Sequence, residues 1–232
     1  MCGRYSLIHG ASEIAARFDV EEMPGWSPRY NAAPTDSMPV VVWEGGRHVR
    51  RLRWGLVPFW AEDLKVGARM INARSETAAK KPAFRAAFRR RRCLVVADGF
   101  YEWVSRDGKK WPIRVTFGEG ELFAMAGLWE RWSPEGGDQV ETFTILTTDA
   151  QGVMEEVHHR MPVWCDPRRW EDWLCCDGAD AEGVLEEIQG DFDDSQVSLT
   201  PVSRRLNRPG VDEPELWEPV DEPGLPRVRP LK

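Results

Sequence analysis

No stretch of this chain is apolar for anything close to the ~18 residues that a membrane-spanning helix needs. The longest apolar runs are short ones such as Met38–Trp43, which excludes an α-helical membrane protein. The first ten residues, MCGRYSLIHG, hold no apolar stretch of signal-peptide length, so a secreted chain is not expected. The chain has no CxxC pair. Its five cysteines (Cys2, Cys93, Cys165, Cys175 and Cys176) are odd in number and irregularly spaced. That pattern predicts free thiols in a reducing compartment, not a disulfide framework or a zinc cage. No set of Cys, His and carboxylates has ligand spacing, so neither a metal nor another cofactor is expected. There is no phosphate-binding P-loop, no GxGxxG and no GxSxG. Nor is there an internal repeat.

What is present suits a globular domain. A length of 232 residues with 42% apolar composition allows one large domain or two small ones. A charged fraction of 30% alongside twelve tryptophans excludes wholesale disorder. The net charge of −7 hides an asymmetry: residues 1–129 sum to +7 and residues 130–232 to −14. A local positive field can bind a polyanion in spite of an acidic total. The densest basic segment holds Arg85, Arg89, Arg90, Arg91 and Arg92. It reads either as a solvated helix end, where cations meet the negative pole of the dipole, or as a polyanion contact. Most of the tryptophans belong in a core, and some near polar motifs could stack on bases.

Periodicity and turn residues predict a helix over Ala11–Phe18 with Ser12 as N-cap. Strands are predicted at Met38–Trp43 and Arg47–Leu56, joined by a Glu44-Gly45-Gly46 turn. Pro82–Phe88 fits one or two helical turns. Cys93–Trp103 is β-prone and broken at Asp98-Gly99. Further strands follow at Trp111–Phe117, Leu122–Trp132, Val140–Thr148 and near Val197–Val202. Helices are expected at Gln151–Val157, Pro167–Cys175 and Ala179–Ile188. Many strands with short helices and no βαβ rhythm predict an α+β fold, a single domain with a mostly antiparallel, barrel-like β core and short peripheral helices. Seven of 17 prolines lie at or beyond Pro201, so residues 204–232 read as an extended tail behind a domain of residues 1–203.

Four groups of polar residues suggest chemistry. If Met1 is removed, as a small second residue allows, Cys2 carries an α-amine with pKa near ~8 beside a thiol near ~8.5. Such a 1,2-aminothiol condenses with an aldehyde: the amine forms a Schiff base and the thiol closes a thiazolidine ring. Cys2 could equally be an ordinary buried cysteine. Glu102 lies inside an apolar strand, where burial would raise its pKa and fit it to shuttle protons; it could also point at solvent. Asn72 and Arg74 share a strand face and could hold a reacting group and a phosphate, or merely form a capped turn. His158 and His159 follow a predicted helix, where either could act as general acid–base or as a helix cap.

These segments resemble the SRAP family, the SOS-response-associated peptidases also described as abasic-site processing proteins. The matching stretches run in family order. They are Met1–Tyr5, Arg29–Pro34, Trp54–Trp60, Asn72–Thr77, Ala97–Trp103, His158–Pro162 and Pro201–Ser203. The resemblance implies a β-barrel core, a positively charged groove for single-stranded DNA and covalent capture of abasic sites. By motif position it makes Cys2 the nucleophile, with Asn72, Glu102 and His158 completing the site. It puts Arg4, Asn31, Arg74 and Arg160 at DNA-contacting positions, and Trp54 beside the groove.

The implied mechanism has the Cys2 amine attack C1′ of the ring-opened abasic sugar. His158 moves a proton at the sugar ring oxygen, Glu102 manages protons at the amine, and Asn72 orients the Cys2 end. The implied partner is single-stranded DNA containing abasic sites. A cytoplasmic monomer, nucleoid-associated when bound to DNA and without membrane attachment, is expected. The rival reading is a cysteine-dependent (auto)peptidase acting on proteins, with Cys2, Glu102 and His158 as a hydrolase set.

Overall fold

The computed structural model describes residues 2–118 and 120–221. Its strands, in chain order, are β1 (Arg4–Leu7), β2 (Arg29–Ala32), β3 (Ser37–Trp43), β4 (Arg47–Trp54), β5 (Asn72–Arg74), β6 (Arg92–Ala97) and β7 (Gly99–Arg106). These are followed by β8 (Lys109–Phe117), β9 (Phe123–Trp132), β10 (Val140–Asp149), β11 (Arg160–Pro162), β12 (Trp164–Cys165) and β13 (Val197–Pro201). The α-helices are α1 (Ala11–Phe18), α2 (Ser75–Ala78), α3 (Arg85–Arg90), α4 (Trp170–Cys175) and α5 (Ala181–Gly190).

The most continuous apolar strands, β3, β6 and β9, form consecutive staves of a closed barrel. The order is β4-β3-β6-β9-β10, and β10 returns to pair with β4. Every pairing in the ring is antiparallel except that last one, which is parallel at Thr142–Arg53 and Phe143–Trp54. Closure removes the unpaired edges that an open sheet would leave. All six residues of β6 are buried, which accounts for its apolar run Cys93–Ala97, and the buried Arg92 at its start donates to the Trp173 and Phe88 carbonyls. Inside the ring Gly127 has no room for a side chain. A Cβ there would come within 3.0 Å of Val95, Cys93 and the Thr144 carbonyl.

A second sheet, β13-β8-β7-β1-β2, is wholly antiparallel. The chain passes from barrel to sheet at Asp98, between β6 and β7. Asp98 is fully buried and accepts from Ser6 Oγ at 2.8 Å and from the His9 backbone N–H at 3.3 Å, with His9 Nδ1 at 3.0 Å. The Asp98-Gly99 interruption in the sequence is therefore a change of sheet. The α+β architecture with a mostly antiparallel barrel and short helices is the one the sequence indicates.

Several local features differ from expectation. Helix α1 has its expected span, but its cap is Gly10, whose N–H donates to Glu13 Oε2 at 2.8 Å, and not Ser12. The helix expected from Pro82 begins at Arg85, because Phe84 and Arg85 first close turns onto the Lys81 carbonyl. The segment after Gln151 is a 3₁₀ turn, Gly152–Glu156. Residues 204–221 are not extended: they make 3₁₀ turns at Arg204–Asn207 and Pro214–Leu216 and bury Leu206 and Leu216 in a cluster with Tyr101 and Val202. The rest of the expected tail, residues 222–232, lies outside the described residues.

Candidate functional site

Four elements converge where the second sheet meets the barrel. Cys2 lies two residues before the start of β1. Glu102 lies on β7, the strand paired with β1. Asn72 lies on β5, which runs beside β10 with Asn72 opposite Ile145. His158 lies in the turn between β10 and β11. Cys2 is thereby brought to Asn72 and Glu102, 70 and 100 positions away in sequence.

Cys2 is fully buried, and its thiol donates to the Arg4 carbonyl at 3.7 Å. Burial pushes the thiol pKa up, and the neighbouring Glu102 carboxylate adds to that effect. The thiol is therefore held as neutral S–H. Asn72 Nδ2 donates to the Cys2 carbonyl at 2.8 Å, which fixes the direction in which the chain end leaves β1. Glu102 is buried, and that burial raises its carboxyl pKa, with the positive chain terminus as the main opposing influence.

His158 is half-buried. Its Nδ1 accepts from the Arg160 backbone N–H at 2.9 Å and lies 3.1 Å from the Arg160 carbonyl. One residue thus offers a donor to the neutral ring and an acceptor to the protonated ring. His158 can change protonation state at Nδ1 without turning. Burial lowers the His158 pKa, keeping the ring neutral near neutrality. His159 stacks on it with ring centroids 4.2 Å apart.

The residues expected to touch DNA divide into two groups. Arg74 is exposed on β5, beside the Cys2 corner. Arg4 is half-buried and turns toward the protein, with Nη1 donating to the Leu206 carbonyl at 3.3 Å and to Asn31 Oδ1 at 3.4 Å. The others are buried. Asn31 Nδ2 donates to the Leu206, Arg208 and Val211 carbonyls at 3.3, 3.2 and 2.8 Å, so it anchors the segment after β13 and does not face solvent. Trp54 is a core residue, edge-on to Tyr5 and stacked on Phe143. Its Nε1 donates to the Ile71 carbonyl at 2.9 Å and so holds the start of β5. Arg160 is only 6% exposed and is spent on Glu76, Asp149 and the Thr147 carbonyl. Asn31, Trp54 and Arg160 support the site from within.

Exposed aromatics lie elsewhere in the Trp54–Trp60 segment: Phe59 is 60% and Trp60 53% exposed. This loop is stitched to the approach to β5. Gly55, at φ +119°, packs so close to Gly67 that a Cβ would lie 2.5 Å from its carbonyl oxygen, and Leu56 N–H donates to the Met70 carbonyl. Phe59, Arg85, Arg89, Arg90, Arg91 and Glu130 line a surface hollow. Arg85, Arg89 and Arg90 are exposed and have no carboxylate partner among the described residues, whereas Arg91 is paired with Glu130. The basic run on α3 is thus an unneutralised surface flanked by an aromatic. Neither the aromatics' exposure nor the partners of these arginines can be read from one strand's periodicity.

Among the described residues no group of three or more His, Cys, Asp or Glu is placed to hold a metal ion. No helix among the described residues is long and apolar enough to cross a membrane.

The chain matches the family of SOS response associated peptidases over residues 1–209. It is 37% identical over 223 residues to abasic site processing protein YoqW of Bacillus subtilis, covering 94% of this chain and 99% of that one. It is 29% identical to abasic site processing protein HMCES of Gallus gallus, covering 98% of this chain and 80% of the relative. A crystal structure of a Bacteroides thetaiotaomicron protein superposes with a TM-score of 0.83 at 25% identity, over 94% of this chain and all of that one. The family match over residues 1–209, together with relatives 37% identical over nearly the whole chain, shows that the chain belongs to the SOS response associated peptidase (SRAP) family.

Proposed function

We propose that this protein processes abasic sites by capturing them covalently in single-stranded DNA, through a thiazolidine formed by Cys2 once Met1 is removed. The observation that carries this reading is the Asn72–Cys2 hydrogen bond. It fixes the Cys2 main chain next to the buried Glu102 carboxylate, so removal of Met1 would leave the Cys2 amine at that corner, with His158 as the group suited to moving protons. Relatives named abasic site processing proteins support the same reading.

The chemistry follows from the charge states. The thiol is held protonated, so the amine is the first nucleophile. It adds to C1′ of the open-chain sugar to give a carbinolamine. Glu102 takes a proton from the attacking nitrogen and returns one to the departing hydroxyl, and water leaves to form the iminium. The thiol then adds to C1′ with loss of its proton, and the ring closes. One water is released overall. His158 moves the proton at the ring oxygen when the sugar opens. Holding the aldehyde against the amine supplies an effective-molarity gain. A thiolate peptidase needs a depressed thiol pKa. Burial and Glu102 push the Cys2 thiol the other way, which argues against the hydrolase reading.

Phosphates would be met by Arg74 and by the α3 arginines, and bases by Phe59 and Trp60. Val57 N–H donates to Thr142 Oγ1, so this loop sits against β10 three residues from Ile145, the partner of Asn72. At ~3.4 Å per strand residue, the point where this loop meets β10 is about 10 Å along the strand from Ile145.

The deciding experiment is incubation with single-stranded DNA bearing one abasic site, read on a denaturing gel. A heat-stable, slower-migrating species supports the proposal, and its absence defeats it. A second measurement maps the groove. Arg74→Ala is expected to flatten the salt dependence of single-strand binding by about 0.7 in log–log slope. Arg160→Ala is expected to leave that slope unchanged, because its guanidinium is already occupied by carboxylates. A reduced slope for Arg160→Ala with an unchanged slope for Arg74→Ala would reverse the assignment.

A further inference from the structure

We infer that Glu76 is a positioning residue for His158, acting through Arg160, and that it ties the corner that orients Cys2 to the corner that moves the proton. The inference rests on the thiazolidine reading above and deepens it. Glu76 lies in α2, which follows directly on β5, so it is joined by a single turn of chain to Asn72. Its two oxygens accept from Arg160 in a fork, Oε1 from Nη1 at 2.6 Å and Oε2 from Nη2 at 3.0 Å. The same guanidinium reaches Asp149 Oδ1 at 2.7 Å and the Thr147 carbonyl at 2.6 Å.

Arg160 is the first residue of β11, a strand of three residues, and its main chain brackets His158 Nδ1. What fixes that short strand end fixes the histidine. The guanidinium is the buried member of the cluster, with its side chain 7% exposed, against 45% for Glu76 and 84% for Asp149. Asp149 is mostly in water, so Glu76 bears more of the anchoring. The pairing with Arg160 holds the Glu76 carboxyl below the usual carboxylate range, so the strut is charged at neutral pH.

The link is electrostatic as well as mechanical. The charged groups acting on His158 are the chain terminus, His159 and Arg160. Each disfavours the imidazolium. Glu76 and Asp149 offset the charge of Arg160, which keeps protonation of His158 within reach. Removing the Glu76 charge leaves only the mostly solvated Asp149 to offset Arg160, so its repulsion of the imidazolium grows and the His158 pKa falls.

The test compares Glu76→Gln and Glu76→Asp with wild type in two readouts. The first is the His158 titration followed by NMR in the DNA-free protein. The second is single-turnover crosslinking at saturating single-stranded DNA with one abasic site. Glu76→Gln is expected to titrate His158 at lower pH and to slow crosslinking about ten- to a hundredfold. Glu76→Asp keeps the charge, so it is expected to keep the wild-type titration and to recover most of the rate. A wild-type titration and rate in Glu76→Gln overturns the inference. So do equal losses in both variants with an unmoved His158 titration, because a scaffold defect alone explains them. Failure of the underlying reading shows separately, as wild-type protein that forms no adduct.

Discussion

Cys2→Ala is expected to leave no heat-stable DNA adduct. The substitution removes the sulfur and keeps an α-amine in the same place, because alanine also permits removal of Met1. The amine can still condense with the aldehyde, but nothing closes the ring, so the Schiff base hydrolyses when the sample is denatured. Borohydride before denaturation should therefore rescue a crosslink in Cys2→Ala. Cys2→Ser should behave similarly, since a hydroxyl is a much poorer ring-closing nucleophile than a thiol. The buried site loses about one methyl equivalent of volume, at a cost of ~1 kcal/mol, so loss of fold does not explain the result. A heat-stable adduct formed by Cys2→Ala at the wild-type rate would remove Cys2 as the nucleophile.

His158→Ala is expected to slow crosslinking by ~10²–10⁴-fold, the usual worth of general acid–base help, without abolishing it. Ring opening and crosslink reversal move a proton at the same oxygen, so both rates should fall. His159→Ala is expected to change both little. The geometry separates the adjacent pair: His158 is the ring bracketed by the Arg160 main chain, and His159 is stacked on its outer face. Saturating DNA removes any contribution from weakened binding. If His159→Ala were the slower variant under those conditions, the proton-transfer role would move to His159.

Much of this arrangement was legible in the sequence, for reasons specific to each part. The barrel strands were legible because β3, β6 and β9 are buried on both faces and carry unbroken apolar runs. Of the proposed site residues, Glu102 stood out as a carboxylate inside an apolar strand, whereas Cys2, Asn72 and His158 stood out by their place in the motifs of the family resemblance. Orientation was not legible. Trp54 and Arg160 belong to the same motifs as exposed neighbours, and only the pairing of β4 and of β11 with β10 decides that Trp54 faces Phe143 and that Arg160 faces Glu76. The burial of Asn31 was not legible because its partners, the carbonyls of Leu206, Arg208 and Val211, lie about 175–180 residues away, in the stretch that read as a tail. The proline content of that stretch gave no sign of Leu206 and Leu216, the two side chains that dock it.

The central claim is a ring between the terminal aminothiol and C1′, and the mass of the adduct tests it most directly. The N-terminal peptide, released by protease and nuclease digestion after crosslinking, should begin at Cys2. Its mass should equal peptide plus sugar fragment less one water, and it should be unchanged by borohydride. An adduct on an internal lysine, a retained Met1, or a gain of two hydrogens on reduction would contradict the account.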